Sequence, residues 1–179
     1  MVGNMTGEAE QLVARAREGD PAAFGELYAD VWKDLYRFAY YYLGNAEDAE
    51  DAVQETVLEA YKGIGRLKEP AAFKGWIFTI LTACCKRRVG GLIRRREQVQ
   101  LEERPELTAD AGEEGMSLSM ELREALLQLK PEERRVVLLK VMMGYKSHEI
   151  AQILHMSSGG VRSKLSRALQ KLRGYLETS

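Results

Sequence analysis

The stretch Gly144–Arg173, GYKSHEIAQILHMSSGGVRSKLSRALQKLR, reads as two short helices joined by a tight turn. Ile150, Ala151, Ile153 and Leu154 recur at helical spacing, and a second set, Val161, Leu165, Ala168, Leu169 and Leu172, follows the polar break His155-Met156-Ser157. Ser157 is placed to cap the second helix, because its hydroxyl can accept from a backbone N–H that the helix leaves without a partner. Small Ala151 permits a close crossing of the two. The second helix then turns Arg162, Ser163, Lys164, Ser166, Arg167, Gln170 and Lys171 away from the shared core, a cationic, hydrogen-bonding face of the kind a major-groove reader needs. A basic amphipathic helix is also an ordinary solvated surface, and periodicity alone leaves both readings open.

The surrounding 179 residues allow one or two small domains. No apolar run approaches the roughly 20 residues that span a bilayer, and no basic-then-apolar leader opens the chain, so the expectation is a cytoplasmic protein without membrane insertion. Cys84 and Cys85 are adjacent within a helical pattern and point in different directions, which suits buried thiols rather than a disulfide. His148 and His155 have no cysteine or carboxylate cluster at ligand spacing, so no metal and no cofactor are expected. No nucleophile–base pair, carboxylate dyad or phosphate loop is present, so neither an enzyme nor a small-molecule substrate is expected.

The net charge of −1 conceals strong segregation. Residues 1–65 carry −8, residues 66–96 carry +8, residues 97–119 carry −6 and residues 120–179 carry +5. Cationic blocks suit a polyanion, whereas an acidic face repels one and suits a protein partner. The pattern is that of a chain that touches both.

Toward the N-terminus, a first helix is expected over Glu8 to Glu18, ended by Gly19, with Leu12 and Val13 inward. Asp20-Pro21 restarts the chain as cap and first helical residue. Phe24, Leu27, Tyr28, Val31, Leu35, Phe38, Ala39 and Tyr42 then define a long core helix. Its other aromatics read as packing and rim residues rather than a base-stacking platform. After Gly44-Asn45, a helix with Ala49, Ala52, Val53, Thr56, Val57 and Ala60 inward leaves Asp48, Glu50, Asp51, Gln54 and Glu55 on an acidic outer face. A basic loop, Arg66-Leu67-Lys68-Glu69-Pro70, precedes a helix starting near Ala71 whose inner stripe is Phe73, Trp76, Ile77, Ile80 and Leu81. Trp76 reads as a packing residue. Lys74, Lys86, Arg87 and Arg88 lie on the same helix, with Arg94, Arg95 and Arg96 beyond, and are candidates for phosphates.

Residues 97–119 are acidic and poor in large apolar residues, the composition of a flexible linker. A second domain follows from Met120, with Leu122, Ala125, Leu126 and Leu129 on one helix and Val136, Val137, Leu138, Val141 and Met142 filling the next, up to Gly144. The expectation is an all-α protein: a helical domain over 1–96, a flexible acidic linker over 97–119 and a helix-turn-helix domain over 120–179.

Several separated pieces resemble the sigma-70 family of bacterial RNA polymerase initiation factors, in particular its extracytoplasmic-function (group IV) type. They are DPAAFGELY, DAEDAVQET with Tyr61 following, AAFKGWIFTI, LKPEERRVVLLK and GYKSHEIAQIL…SSGGVRSKLSRALQKLR, in the family's order and at its spacing. The resemblance implies a region 2-like domain over 1–96 and a region 4-like domain over 120–179. It implies that Asp48, Glu50, Asp51, Gln54 and Glu55 bind core RNA polymerase, and that Arg66, Lys68, Lys74, Lys86, Arg87 and Arg88 serve the −10 element of promoter DNA. Ser158, Arg162, Ser163, Lys164, Arg167 and Lys171 would read the −35 element, and Leu126 and Val137 would form core and a seat for the polymerase flap. An anti-sigma factor is a further implied partner. The chain departs from the family at His155, where Gly is frequent, at Gly160, where Thr is frequent, at Lys146, where Ser would cap and Ser147 becomes the displaced candidate, and at Ala83 and Arg87, where Asn and Asp are frequent. Two other readings stay open from the residues: a helix-turn-helix regulator that acts without polymerase, and a sigma-like interaction adaptor.

Overall fold

The computed structural model describes residues 7–99 and 118–178, with side chains described up to residue 94 of the first segment. Most of the expected linker therefore lies outside the described residues. The first helix, α1 (Gly7–Arg17), buries Val13 and Ala16. The Asp20 carboxylate accepts from the Ala22 and Ala23 N–H groups at 3.0 and 3.3 Å and starts α2 (Pro21–Leu43). Gly44 closes α2 at φ +88°, donating its N–H to the Tyr40 carbonyl, and a Cβ there would meet the Leu127 side chain at 3.1 Å. The left-handed backbone favours glycine there, and a Cβ would also press on the Leu127 side chain.

Asn45 caps α3 (Ala46–Gly63) by accepting from the Asp48 N–H at 2.8 Å. Two 3₁₀ turns, Ile64–Arg66 and Pro70–Ala72, lead into α4 (Phe73–Val99). The basic tail of α4 continues past Gly90 and Gly91 without a break. Beyond the undescribed segment come α5 (Met120–Gln128), capped by Ser119, and α6 (Pro131–Val137), which passes into a π turn over Leu138–Met142. The chain ends in α7 (Ser147–Leu154) and α8 (Ser158–Thr178). No strand occurs among the described residues, as the all-α reading expects.

α1 to α4 form one helical domain and α5 to α8 a second, and their cores are continuous. Phe38, Phe73, Ile77, Leu81 and Cys85 on the first side belong to the same buried cluster as Leu126, Leu139, Tyr145, Ile150 and Val161 on the second. Phe78 of α4 meets Tyr145 edge-on at 5.5 Å between centroids and Phe38 at 6.0 Å. Tyr40, Tyr41 and Tyr42 are all buried although they are consecutive, so the end of α2 is covered on every side. The second domain supplies that cover: Arg123 of α5 bonds the Tyr40 hydroxyl, and the Leu118 N–H donates to the Tyr41 hydroxyl at 3.1 Å.

Two residues expected in the core are not there. Val141 is 63% exposed and Leu169 45% exposed. The π turn inserts an extra residue into the register of α6, which rotates Val141 outward. Leu169 instead lines an apolar groove with Leu122, Val137 and Leu172. Ser147 is not a displaced cap but the first residue of α7; the cap is made instead by the Glu149 carboxylate, which accepts from the Lys146 N–H at 2.6 Å.

Candidate nucleic-acid and partner interfaces

α7 and α8 form the expected helix-turn-helix. Ile150, Ala151 and Ile153 of α7 and Val161, Ala168 and Leu172 of α8 are buried. The turn places His155 at φ 52°, ψ 50°, the one left-handed non-glycine residue among those described. An L-residue with a Cβ is disfavoured there by about 1 kcal/mol, so the departure from Gly at this position carries a strain. Ser157 then caps α8, accepting the Gly160 N–H at 3.0 Å. A Cβ on Gly160 would lie 3.0 Å from that same hydroxyl oxygen, so a larger residue needs the cap to shift.

Arg162, Ser163 and Arg167 are exposed along α8, with Ser158 half-buried at its first turn. Lys164 and Lys171 differ, because both are tied to α6. The Lys164 ammonium lies 2.7 Å from the Glu132 carboxylate, and the Lys171 ammonium grips both Glu133 oxygens at 2.8 and 2.9 Å. The Lys164 hydrogen bond holds Glu132 below its ordinary pKa, and Lys171, helped by the Lys130 N–H and working against burial, does the same for Glu133. These pairs brace α8 on α6.

On the other domain, the α3 acids and the α4 cations face each other. A single Arg87 nitrogen lies 2.6 Å from both Glu55 and Glu59 and 3.2 Å from the Cys84 sulfur. Arg88 lies 3.5 Å from Asp48 and 3.3 Å from Asp51. The expected polymerase-binding and −10-binding sets are thus brought together and partly neutralise one another. Glu50 and Gln54 remain exposed, alongside Leu58, which is 61% exposed and was not anticipated. Its position three residues after Glu55 on the same helix was the available signal. Glu55, Glu59 and Cys84 are close enough to ligate an ion, but the Arg87 guanidinium already fills the space between them.

Arg66, Lys68, Lys74 and Lys86 are exposed. Trp76 is half-buried, packed against Phe73 and over Gly63. A cleft of about 310 Å³ separates the start of α4 from the second domain, with Lys74, Gly75 and Trp76 on one wall and Tyr145, Glu149 and Gln152 on the other. α7 therefore lies across the end of α4 that the family resemblance assigns to the −10 element.

Two family descriptions match the chain: sigma-70 region 2 over residues 27–96 and sigma-70 region 4 over residues 119–172. The chain is also 30% identical over 171 residues to the ECF RNA polymerase sigma factor SigM of Mycobacterium tuberculosis, covering 94% of this chain and 86% of the relative. The chain belongs to the ECF sigma factors of the sigma-70 family. It is 34% identical to the ECF RNA polymerase sigma factor SigE of Mycolicibacterium smegmatis, over 88% of this chain and 64% of that one. The fold is similar to that of RpoE from Bartonella quintana, solved with the anti-sigma factor NepR, at a TM-score of 0.72 and 25% identity over 86% of this chain and 96% of that one. It is also similar to CnrH, solved with the cytosolic domain of CnrY, at a TM-score of 0.72 and 23% identity over 96% of this chain and 98% of that one.

As a sigma factor the protein directs transcription initiation. The reading of a regulator acting without polymerase gives way to this one. No described helix is long and apolar enough to cross a membrane.

Proposed function

We propose that residues 1–96 of this sigma factor bind core RNA polymerase and capture the −10 element, and that residues 120–179 read the −35 element. The acidic face of α3, with Glu50, Asp51 and Gln54 exposed, Asp48 and Glu55 half-buried against α4, and Leu58 exposed further along the helix, docks on the polymerase. An apolar side chain amid carboxylates suits a basic partner that also offers a small hydrophobic seat. Arg66, Lys68, Lys74, Lys86, Arg87 and Arg88 serve the −10 region, where Arg87 and Arg88 must exchange their α3 carboxylates for phosphates. Arg162, Ser163, Lys164, Arg167 and Lys171, with Ser158 at the helix start, serve the −35 duplex.

The observation that carries this reading is the packing of α7 against the start of α4. α7 lies across the start of α4 in the free chain, so full engagement of the −10 element there requires the domains to part. Core polymerase would supply the contacts that offset the lost interface, which links polymerase binding to promoter competence. An anti-sigma partner would hold the domains as they are, in line with the company in which RpoE and CnrH were solved. The protein works in the cytoplasm and performs no covalent chemistry.

Run-off transcription with core polymerase tests the reading. Added protein should support initiation from a cognate promoter, and Glu50→Lys with Gln54→Lys should abolish that support while leaving duplex binding by α8 intact. Initiation unaffected by the double reversal would remove α3 from the polymerase contact.

A further inference from the structure

A second cleft, of about 480 Å³, lies between the domains, where α2 ends against α4, α6 and α8. Its walls carry Lys86, Lys130, Arg135, Lys164 and Arg167, with Tyr42 among the lining residues. Glu132 and Glu133 also line it, but Lys164 and Lys171 already engage them. The cations outnumber the acids, and they come from three helices of two domains.

Two buried donors at this cleft have no partner: the Tyr42 hydroxyl and the Arg135 Nε–H. Tyr42 is wholly buried and stands with Arg135 among the residues that line the cleft. A buried donor without an acceptor is destabilising, and such groups are rare without a ligand or water to satisfy them. An acceptor oxygen carrying negative charge would satisfy both donors and the surrounding cations at once.

We infer that this interdomain cleft binds a small phosphate-bearing anion, whose oxygens accept from Tyr42 and Arg135 and whose charge is balanced by Lys86, Lys130 and Arg167. Such a ligand bridges α2 and α4 on one side to α6 and α8 on the other and so strengthens the closed arrangement. A phosphate chain fits the donor set better than a single carboxylate because the cations are spread around the cleft rather than focused on one point. Lys164 and Arg167 also belong to the face proposed for the −35 duplex, so the anion and DNA compete for them.

The test is thermal unfolding and calorimetric titration of the full chain with inorganic tripolyphosphate, ATP and sulfate at matched ionic strength. Tripolyphosphate should bind one per chain and raise Tm by about 4 °C at ten times its Kd, with sulfate giving no saturable shift. ATP binding as well as tripolyphosphate identifies the phosphate chain as the recognised group, and tighter ATP binding adds the nucleoside. Tyr42→Phe removes the unpartnered hydroxyl, so its ligand-free Tm should not fall, while its affinity for tripolyphosphate drops about tenfold. Arg135→Gln should weaken binding similarly and provides a second reading if Tyr42→Phe folds poorly. Sulfate matching tripolyphosphate, or both variants binding as the parent does, overturns the inference.

Discussion

The Arg134 guanidinium of α6 donates to the main-chain carbonyl of Tyr42 at 2.6 Å, joining the C-terminal domain to the end of α2. Its other nitrogens donate to the carbonyls of Leu126, Leu127 and Leu129 at 2.8 to 3.1 Å. One side chain thus supplies donors to carbonyls at the C-terminal ends of two helices, α2 and α5, one of which, Leu126, also accepts the Leu129 N–H at 3.2 Å. Burial pulls its pKa down, partly offset by Tyr42, and no carboxylate in these contacts balances its charge. The planar fork is what makes four simultaneous contacts feasible.

Arg134→Ala should therefore destabilise the chain by about 3 kcal/mol, and Arg134→Lys should recover little of it, because an ammonium cannot reach all four carbonyls. Chemical denaturation of both variants checks this. A lysine variant as stable as the parent would mean that the charge, and not the fork, is what matters.

His155 in its left-handed turn predicts the opposite sign. His155→Gly should stabilise the protein by up to about 1 kcal/mol, whereas His155→Val should destabilise it, since a β-branched side chain is the least tolerant of positive φ. Thermal melts of the two variants, compared with the parent, separate the backbone effect from loss of the imidazole.

Much of the local structure was legible in the chain. Asp20-Pro21, Gly44-Asn45 and Ser157 each mark a helix boundary by a cap or a turn chemistry that depends on two or three neighbours, and each boundary falls there. The joining of the domains was not legible. Arg123 and Arg134 lie in stretches dense with charge, where a cation reads as solvent-facing, and their partners are a phenol and carbonyls that leave no periodic trace. Tyr145 lies in the connection before α7, off any helical stripe, and Phe78 meets it across the domain boundary while also packing on Phe38 within its own domain. At the candidate site, residue types and faces were readable, but the pairing of Arg87 with Glu55 and of Lys171 with Glu133 depends on which helices face each other.

Arg167→Ala, at an exposed position on α8, should weaken binding of −35 duplex and lower the salt dependence of binding by about one counterion. Affinity measured across a salt series distinguishes this from a loss of base reading, which would alter preference among sequences without changing the slope.

Acidification should loosen α8 from α6. Glu132 and Glu133 have pKa values held below the ordinary 4.5, so the stability they contribute is fully present above 4.5 and is lost as pH falls through their lower folded values. Glu133→Gln should flatten the pH dependence of unfolding in that acid range and leave it unchanged near neutrality.

Cys84 and Cys85 are both wholly buried, and desolvation pushes both thiols above their ordinary pKa, Cys85 strongly. Neither should react with a thiol reagent in the native chain at neutral pH, and both should react on unfolding. This leaves cysteines placed elsewhere free to be labelled alone.

That property gives the most direct test of domain opening. Cysteines introduced at Glu47 on α3 and Gln170 on α8, both exposed, carry a donor and an acceptor dye, and the transfer efficiency between them is measured before and after core RNA polymerase is added. The free protein should show one short distance, and the polymerase complex a longer one. A distance unchanged in a complex that initiates transcription would contradict the account.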